Sequence, residues 1–326
     1  MKYFITGSTG FVGSWVAEKL CTEGAEITCL VRRTSNLHWI EHLPVKYHYG
    51  SLTDLDSLRR GVESVDYVLH IGGVTKTLNV KEFYRGNVQA TKNLLTAVKE
   101  VNPNLKKFIH ISSQAAVGPS ESKEPIDETH SCHPLTHYGK SKLETEMVVH
   151  QFLDEIPITI LRPSTVYGPR DTDVYEAFRN IKNGINLKVG KNEQYVSLIH
   201  VFDLAEGIIH TAKHEGGIGE TYFICNDPIY SWSEIIEIMK KLVGKKALNL
   251  SVPYTVAYGV ASVIELTARI RRKPTILDRE KMREIREQFW TASNHKLRSQ
   301  LGFSPKLSAE EGLKITYDWY KKSSWI

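Results

Sequence analysis

The sequence predicts an α/β protein in which a doubly wound parallel sheet is followed by a smaller, mostly helical C-terminal lobe. Short apolar strands alternate with helical segments over the first half of the 326-residue chain. A glycine-rich turn joins the first strand to the first helix. Because these strands are apolar almost throughout, both faces of the sheet are expected to be covered by helices.

The first half of the chain gives the strand and helix predictions in strict alternation. Strands are predicted at 2–6, 25–31, 65–72, 105–112 and 157–168. Helices are predicted at 12–24, 55–63, 82–102 and 136–155. Gly24 and Pro103 end two of these helices, as is usual for these residue types.

Beyond Gly168 the alternation becomes less regular. A strand and a helix are predicted within 196–213, and a further strand at 221–226. Three helical stretches follow, and the last opens with a capping box formed by Ser308 and Glu311. We therefore predict a nucleotide-binding domain of residues 1–166 plus about 192–226, and a substrate lobe of about 167–191 plus 227–326.

Charge and cysteine content narrow the functional classes. The net charge is +5, and no long basic run indicates nucleic acid binding. Cys21, Cys29, Cys132 and Cys225 are far apart, which favours free thiols in a reducing cytoplasm. The longest apolar stretch, 254–264, is too short to span a bilayer. The sequence thus predicts a cytoplasmic protein with a small-molecule substrate, no nucleic acid partner and no membrane span.

The segment TGSTGFVG, residues 6–13, has the spacing of a dinucleotide-binding turn. Its glycines, Gly7, Gly10 and Gly13, suit a tight turn, close approach to a pyrophosphate, and helix–strand packing. The N-terminus of the following helix offers unpaired N–H groups to phosphates. The position at the start of a βαβ pattern indicates a Rossmann fold.

Several further motifs carry a resemblance that covers essentially the whole chain. These are GSLTD at 50–54, LHIGG at 69–73, NVQATKNLL at 87–95, LRPSTVYGPRD at 161–171 and LIHVFDLA at 198–205. Together with the glycine turn, they resemble the extended short-chain dehydrogenase/reductase superfamily, also called the NAD-dependent epimerase/dehydratase family. The resemblance implies NAD(P) as cofactor, an adenine contact at Asp54, and the dimerisation through two core helices that relatives use.

The segment YGKSK places Tyr138 and Lys142 four residues apart, on one face of a helix. A nearby ammonium, together with a cationic nicotinamide, favours tyrosinate and is expected to lower the pKa of Tyr138, so that its hydroxyl exchanges a proton with a carbonyl/alcohol pair. In the family pattern, the second of two adjacent serines polarises the carbonyl, which here is Ser113. The resemblance thus implies Ser113, Tyr138 and Lys142 as catalytic residues.

The segment CLVRRTSN ends the second strand with two arginines where an acidic residue would select NAD. Arg32 and Arg33 instead suit the 2′-phosphate of NADP, with NAD kept as the alternative. The full set of cofactor-binding residues predicted here is Gly7, Thr9, Gly10, Phe11, Val12, Gly13, Arg32, Arg33, Asp54, Leu55, Ile71, Gly72, Tyr138, Lys142, Pro163 and Val166.

Three histidines, His70, His110 and His200, fall on apolar strand-like runs. Each is interpreted as a hydrogen-bonded core histidine rather than a ligand. No spacing of His, Cys, Asp or Glu resembles a metal site, so no metal is predicted.

Two positions distinguish reactions within the family. Sugar-nucleotide members typically carry Asn where this chain has Thr165, and a basic residue where it has Val196. In those members, the Asn and the basic residue bind the diphosphate of the substrate. Arg170 can partly compensate, so Thr165 and Arg170 are predicted to bind substrate. The sequence favours an NADP(H)-dependent oxidoreductase acting on a ketone or secondary alcohol. The alternatives are an NAD-dependent nucleotide-sugar epimerase or dehydratase, and a catalytically silent NADP-binding sensor.

The C-terminal region 252–285 resembles the dihydroflavonol reductase and 3β-hydroxysteroid dehydrogenase-like branch. Its apolar helix either lines the site, where it would suit an apolar or mixed substrate, or packs into the core of its own lobe. A third interpretation is contact with a membrane surface, because Arg269, Arg271, Arg272 and Lys273 lie at the end of that helix.

Overall fold

A computed structural model describes residues 1–271, 275 and 278–326. Arg272 and Lys273, cited above for membrane contact, lie outside the described residues. The strands are β1 Lys2–Thr6, β2 Glu26–Val31, β3 Lys46–Tyr49, β4 Tyr67–His70, β5 Lys107–Ile111, β6 Ile158–Pro163, β7 Thr165–Tyr167, β8 Ile185–Val189, β9 Tyr195–His200, β10 Thr221–Ile224, β11 Ile229–Ser231, β12 Leu248–Val252 and β13 Phe289–Trp290.

Twelve α-helices are described between and after these strands. They are α1 Phe11–Thr22, α2 Leu55–Val62, α3 Val80–Phe83, α4 Ala90–Val101, α5 His137–His150, α6 Thr172–Lys182, α7 Val201–Lys213, α8 Trp232–Val243, α9 Tyr254–Arg271, α10 Arg279–Arg286, α11 His295–Leu301 and α12 Ala309–Lys322. A π-helical segment, Tyr84–Gln89, joins α3 to α4, where one continuous helix was predicted.

The central sheet has seven parallel strands in the order β10-β6-β5-β4-β1-β2-β3. This confirms the predicted doubly wound α/β fold. The order reverses between β1 and β4, and in folds of this kind ligands bind at such a reversal, beyond the carboxyl ends of the strands. The edge strand β3 escaped prediction because its four residues are only partly buried and form no apolar run.

Alternate residues of β1 explain how both faces of the sheet are covered. Tyr3 and Ile5 point to the cluster that contains α1 and α7, whereas Phe4 points to the cluster that contains α2, α4 and α5. Side chains alternate across a strand, so one apolar strand supplies both cores. The predicted burial on two sides is therefore confirmed.

The C-terminal lobe contains strands as well as helices. A second sheet runs β11-β9-β13, with β7 paired to β9, and β8 pairs with β12 in a separate two-stranded ribbon. The single strand predicted at 157–168 is thus divided at Ser164 between the two sheets. Likewise β9 joins the second sheet, while α7 and β10 return to the first. The capping box at Ser308 and Glu311 is present.

Across the described ranges, every helix is too short or too polar to cross a membrane.

Candidate active site

The glycine turn at 7–13 brings the backbone of β1 against the loop after β4. Gly7 has φ +76°, and a Cβ atom there would lie 2.6 Å from the backbone nitrogen of Gly72. A Cβ atom on Gly13 would overlap the carbonyl oxygen of Gly7. These two positions therefore require glycine, and α1 begins at Phe11 behind a Gly10 cap that has no side chain to occupy its N–H groups.

A cavity of about 870 Å³ lies over this turn, at the carboxyl ends of the central strands. Its wall combines the turn, the end of β2, the loops after β3, β4 and β5, and the N-terminal part of α5. Most residues predicted for the cofactor and for catalysis line it: Gly7, Thr9, Gly10, Phe11, Val12, Gly13, Arg32, Ile71, Gly72, Ser113, Tyr138, Lys142, Pro163 and Val166.

The two arginines at the end of β2 have different environments. Arg32 lines the cavity together with Ser35, whose Oγ accepts a hydrogen bond from the Arg32 N–H at 2.9 Å. Arg33 instead lies over the ring of Tyr49 on the edge strand, 5.6 Å from its centroid. Of the two arginines, Arg32 is thus the one that lines the cavity.

The prediction for Asp54 and Leu55 differs from their placement. Asp54 caps α2, and its carboxylate accepts a hydrogen bond from the Ser57 N–H at 3.0 Å. Leu55 packs against the core beneath that helix. Within the described residues, it is the preceding segment, residues 50–53, that forms the cavity wall next to α2. A capping carboxylate is held by the helix N-terminus, which turns it away from the cavity.

The predicted catalytic residues meet at the start of α5. Thr136 caps this helix by accepting a hydrogen bond from the Gly139 N–H at 3.1 Å. The cap orients Tyr138 and Lys142 one turn apart, both on the cavity wall. The Lys142 ammonium donates a hydrogen bond to the carbonyl oxygen of Ile111 at 2.6 Å, at the end of β5. Ser113 follows that strand, so three segments converge on one point.

Burial sets the protonation states at this point. It raises the pKa of Tyr138 to about 12, a rise opposed by a hydrogen bond with Ser113 and assisted by the negative charge of Glu284. Burial lowers the pKa of Lys142 to about 8, against the attraction of Glu146. The lowering of the Tyr138 pKa by Lys142 and a cationic nicotinamide together stays a prediction, and burial by itself acts in the opposite direction.

The shift at Lys142 predicts a stability change with pH. A lysine whose folded pKa is about 8 binds fewer protons than the unfolded chain between pH 8 and 10.5, so stability contributed by this group rises across that window. We expect the free energy of unfolding of wild type, relative to Lys142→Met, to rise by up to about 3 kcal/mol over this range. Urea denaturation of both proteins at several pH values measures it; parallel curves would refute the shift.

A buried ion pair links α5 to β6. Arg162 on β6 donates two hydrogen bonds to the Glu146 carboxylate, at 3.0 and 2.6 Å, and both side chains are at most 8% exposed. Sequence reasoning missed this pair, because its partners lie on separate elements. It ties α5 to the sheet one turn beyond Lys142.

The loop after β4 is held by the π-helical segment. Asn87 accepts a hydrogen bond from the Val74 N–H at 2.6 Å and donates to the Val74 carbonyl at 3.1 Å and to Ser141 at 2.8 Å. An extra residue in this helical turn is what points Asn87 at the loop. The sequence suggested a family motif here without indicating this role.

A smaller cavity of about 240 Å³ opens on the other side of Tyr138. Val80 and Phe83 form an apolar part of its wall. Charged residues from four segments form much of the rest: Lys76, Asp173, Glu265, Arg269, Asp278, Glu280, Lys281 and Glu284. Because Tyr138 lines both cavities, a molecule in the smaller one would meet the phenol hydroxyl beside the larger one. Sequence reasoning missed the α10 carboxylates, which lie far from Tyr138 along the chain.

The two residues predicted to bind substrate have other surroundings. Arg170 borders the large cavity, but its guanidinium donates to Ser14 at 2.9 Å and to Glu18 at 2.7 Å, and stacks over Trp15. Thr165 is exposed on β7. An arginine already paired and stacked is poorly placed to bind a substrate diphosphate, so the predicted compensation by Arg170 is not supported by this geometry.

The three strand histidines are all buried. His70 exchanges hydrogen bonds with Thr6 and Thr91, and burial lowers its pKa to about 3. His200 caps α7 by accepting from the Phe202 N–H. His110, in contrast, has no hydrogen-bond partner for either ring nitrogen, so the expectation of a satisfied histidine is wrong there. Among the described residues, no group of three or more His, Cys, Asp or Glu could hold a metal ion.

Two buried hydroxyl groups on the large cavity lack partners. The Oγ atoms of Ser112 and Ser164 are buried without a hydrogen bond, and both residues line the cavity. Buried polar groups are normally paired. The glycine turn, the cavity volume and these two hydroxyls together fit a dinucleotide. For Ser112, the sequence signal was the pair of adjacent serines at the end of β5.

Comparison with known proteins identifies the class. The model of the NAD dependent epimerase/dehydratase family matches residues 3–225. The chain belongs to this family and is an enzyme of the extended short-chain dehydrogenase/reductase superfamily, as the sequence predicted.

Individual relatives include both reductases and epimerases. The ceramide reductase of Caulobacter vibrioides is 25% identical, over 99% of this chain and 95% of that protein. N-acetyl-alpha-D-glucosaminyl-diphospho-ditrans,octacis-undecaprenol 4-epimerase of Escherichia coli O157:H7 is 27% identical, over 77% of this chain and 75% of its own. The crystal structure of UDP-glucuronic acid 4-epimerase from Bacillus cereus with UDP-glucuronic acid and NAD has a TM-score of 0.80 at 23% identity, covering 99% and 100% of the two chains.

Proposed function

We propose that this protein is an NADP(H)-dependent oxidoreductase that transfers hydride to or from a ketone or secondary alcohol. One observation carries the proposal: Ser113, Tyr138 and Lys142 face the same cavity as Arg32 and Ser35. A candidate proton-transfer group and a candidate phosphate-binding group on one dinucleotide-sized cavity support this proposal.

The residues of the large cavity would hold the cofactor. The turn at 7–13 and the start of α1 receive the pyrophosphate, Arg32 and Ser35 receive the 2′-phosphate, and Lys142 binds the nicotinamide ribose. When bound, the nicotinamide supplies or accepts the hydride. Ser112 and Ser164 then gain the hydrogen-bond partners that they lack.

Ser113 and Tyr138 would handle the oxygen of the substrate. Ser113 donates a hydrogen bond to the carbonyl oxygen and polarises it. Tyr138 is protonated at neutral pH, because its pKa is about 12, and can therefore donate its proton to that oxygen as the alcohol forms. Lys142, with a pKa near 8, is mostly cationic at pH 7 and supports the phenolate that results. In the reverse direction the same groups would accept the proton of the alcohol.

The substrate would occupy the smaller cavity beside Tyr138. Its volume of about 240 Å³ suits a small molecule or the end of a larger one, and its charged wall suits polar groups rather than a purely apolar ketone. This differs from the apolar or mixed substrate that the C-terminal helix suggested. Helix α9 contributes Glu265 and Arg269 to this wall, whereas its large aliphatic residues are exposed.

A nucleotide-sugar epimerase or dehydratase with bound NAD is the second candidate, favoured by the names of the Escherichia coli and Bacillus cereus proteins. Against it, Val196 is buried in the lobe and offers no cation, and Arg170 is already paired with Glu18. Denaturing the purified protein and measuring released nucleotide separates the two. Stoichiometric NAD, together with a thermal shift caused by UDP-sugars, would favour the epimerase.

Affinity for the two nicotinamide cofactors tests the assignment of Arg32. We expect Arg32→Ala to weaken NADPH binding by about 10- to 100-fold and NADH binding by far less, because only NADPH has the 2′-phosphate. Arg33→Ala is the matched control, since its guanidinium lies over Tyr49, and it should change either affinity by about threefold at most. Calorimetric titration of the three proteins gives the values; equal affinities that Arg32→Ala leaves unchanged would remove the NADP assignment.

A cytoplasmic location and a homodimer formed through α4 and α5 complete the proposal. All four cysteines are free thiols, which supports a reducing compartment. A silent NADP sensor is the weakest alternative, since the Ser113, Tyr138 and Lys142 set is intact.

A further inference from the structure

Helix α9 has five of its aliphatic residues exposed on the outside, whereas Tyr254 and Tyr258 pack inward. Its buried positions are small, Ala257, Ala261 and Ala268. The opposite face is aliphatic and exposed by 50–75%, and consists of Val256, Val260, Val263, Leu266 and Ile270. A helix on the surface of a globular protein normally shows the reverse arrangement. We call these five residues the outer stripe.

The residues that pack beneath α9 explain why the outer stripe cannot turn inward. Ala257 and Ala261 contact Met282 of α10, together with Val189 and Val252 from the ends of the β8–β12 ribbon. On the same side, Glu265 accepts hydrogen bonds from Arg279 at 2.8 and 3.0 Å. Rotating the helix to bury the outer stripe would break this ion pair. It would also force larger side chains into positions that alanine fills.

The neighbouring ribbon adds a second exposed apolar surface. Ile185 and Leu187 of β8 pair with Leu248 and Leu250 of β12, so the four side chains share one face, and each is at least 40% exposed. At the far end of that face, Val189 and Val252 pack against α9. Pro253 joins β12 directly to α9, so the two exposed apolar faces belong to neighbouring elements of the lobe.

The chain segment that carries β12 and α9 is basic. Residues 238–271 contain six basic residues, Lys240, Lys241, Lys245, Lys246, Arg269 and Arg271, and one acidic residue, Glu265. Aliphatic side chains next to lysine and arginine are the composition of helices that lie in the interface of anionic membranes.

We propose that the outer stripe and the adjoining ribbon face dock on an anionic lipid surface, with α9 lying in the plane of the membrane. A second copy of the chain fits less well, because a two-fold contact would set this basic region against itself. The stripe also carries no aromatic side chains, which are enriched in protein–protein interfaces. The small cavity shares α9, through Glu265 and Arg269, so docking places its wall next to the membrane.

Sedimentation of the full-length protein with lipid vesicles tests this proposal. Vesicles of phosphatidylcholine containing phosphatidylglycerol are compared with vesicles of phosphatidylcholine alone. We expect wild type to bind the anionic vesicles and to bind more weakly as salt is added. The double variant Val263→Ser/Leu266→Ser should lower the affinity by about tenfold or more, because it removes apolar area and leaves the charge unchanged.

The control variant is Ile218→Ser, which removes an aliphatic side chain of similar exposure from a turn after α7. It should leave vesicle binding unchanged. Thermal unfolding of all three proteins verifies that they are folded, and both substitutions are at exposed sites. The proposal is overturned if wild type does not bind anionic vesicles, or if the double variant binds as tightly as wild type. It is also overturned if wild type is a dimer without lipid that the double variant dissociates.

Discussion

Replacing Tyr138 by Phe should lower kcat/KM for carbonyl reduction by about a thousandfold, because the substitution removes the proton donor and little else. The ring remains in place between the two cavities, and the packing against Phe83 is retained. With its pKa near 12, the wild-type hydroxyl is protonated and available as an acid at neutral pH. The measurement is steady-state oxidation of NADPH with a panel of small polar ketones.

Two controls accompany that measurement. NADPH affinity of Tyr138→Phe should stay within about threefold of wild type, since the hydroxyl contributes little to cofactor binding. Tyr175→Phe removes a phenol hydroxyl in the lobe, where the ring packs against Tyr320 and Trp325, and should keep its activity. If Tyr138→Phe retains wild-type turnover, the proton is transferred by another group and the proposed role of Tyr138 is wrong.

Replacing Glu146 by Gln should destabilise the protein by about 3–5 kcal/mol, because it leaves the Arg162 cation buried without a counter-charge. The amide keeps the shape of the carboxylate, so the change is mainly electrostatic. The free energy of unfolding, measured in urea, gives the size of the effect. Loss of the Glu146 charge should also lower the pKa of Lys142 further, since that carboxylate opposes the shift caused by burial.

A double substitution and an exposed ion pair provide the comparisons. Glu146→Leu/Arg162→Met removes both charges, and should recover most of the lost stability. Asp318→Asn breaks an exposed helix pair with Lys314 and should cost less than about 1 kcal/mol. A Glu146→Gln loss no larger than the Asp318→Asn loss would show that the buried pair is not a main support of α5.

The parts of the site that could be predicted from sequence are local in the chain. The turn at 7–13 could be predicted as a dinucleotide-binding turn because of its glycine spacing and its position between a strand and a helix. Tyr138 and Lys142 share a face because they lie one helical turn apart. Strands with unbroken apolar runs could be assigned to a parallel sheet. The edge strand β3 and the short strands of the lobe could not, because they form no unbroken apolar run and their pairing partners are distant in sequence.

Other features depended on which groups the fold brings together. Adjacent arginines look equivalent in sequence, but the end of β2 turns Arg32 to the cavity and leaves Arg33 on Tyr49. Asp54 matches a family motif, yet its carboxylate is held by the N-terminus of α2. Arg170 was expected to bind substrate, but its guanidinium pairs with Glu18 on α1 instead. In each case a contact with another element decides the orientation of the side chain.

By itself the sequence determined the class of protein: a doubly wound α/β enzyme with a dinucleotide turn and a Tyr-x-x-x-Lys helix. These features depend on short-range residue spacing and on apolar periodicity, both of which can be read directly from the sequence. Only the tertiary structure decided the raised pKa of Tyr138, the charged wall contributed by α10, and the outward face of α9. Solvation and long-range contacts set these properties, since the groups involved become neighbours only after the chain has folded.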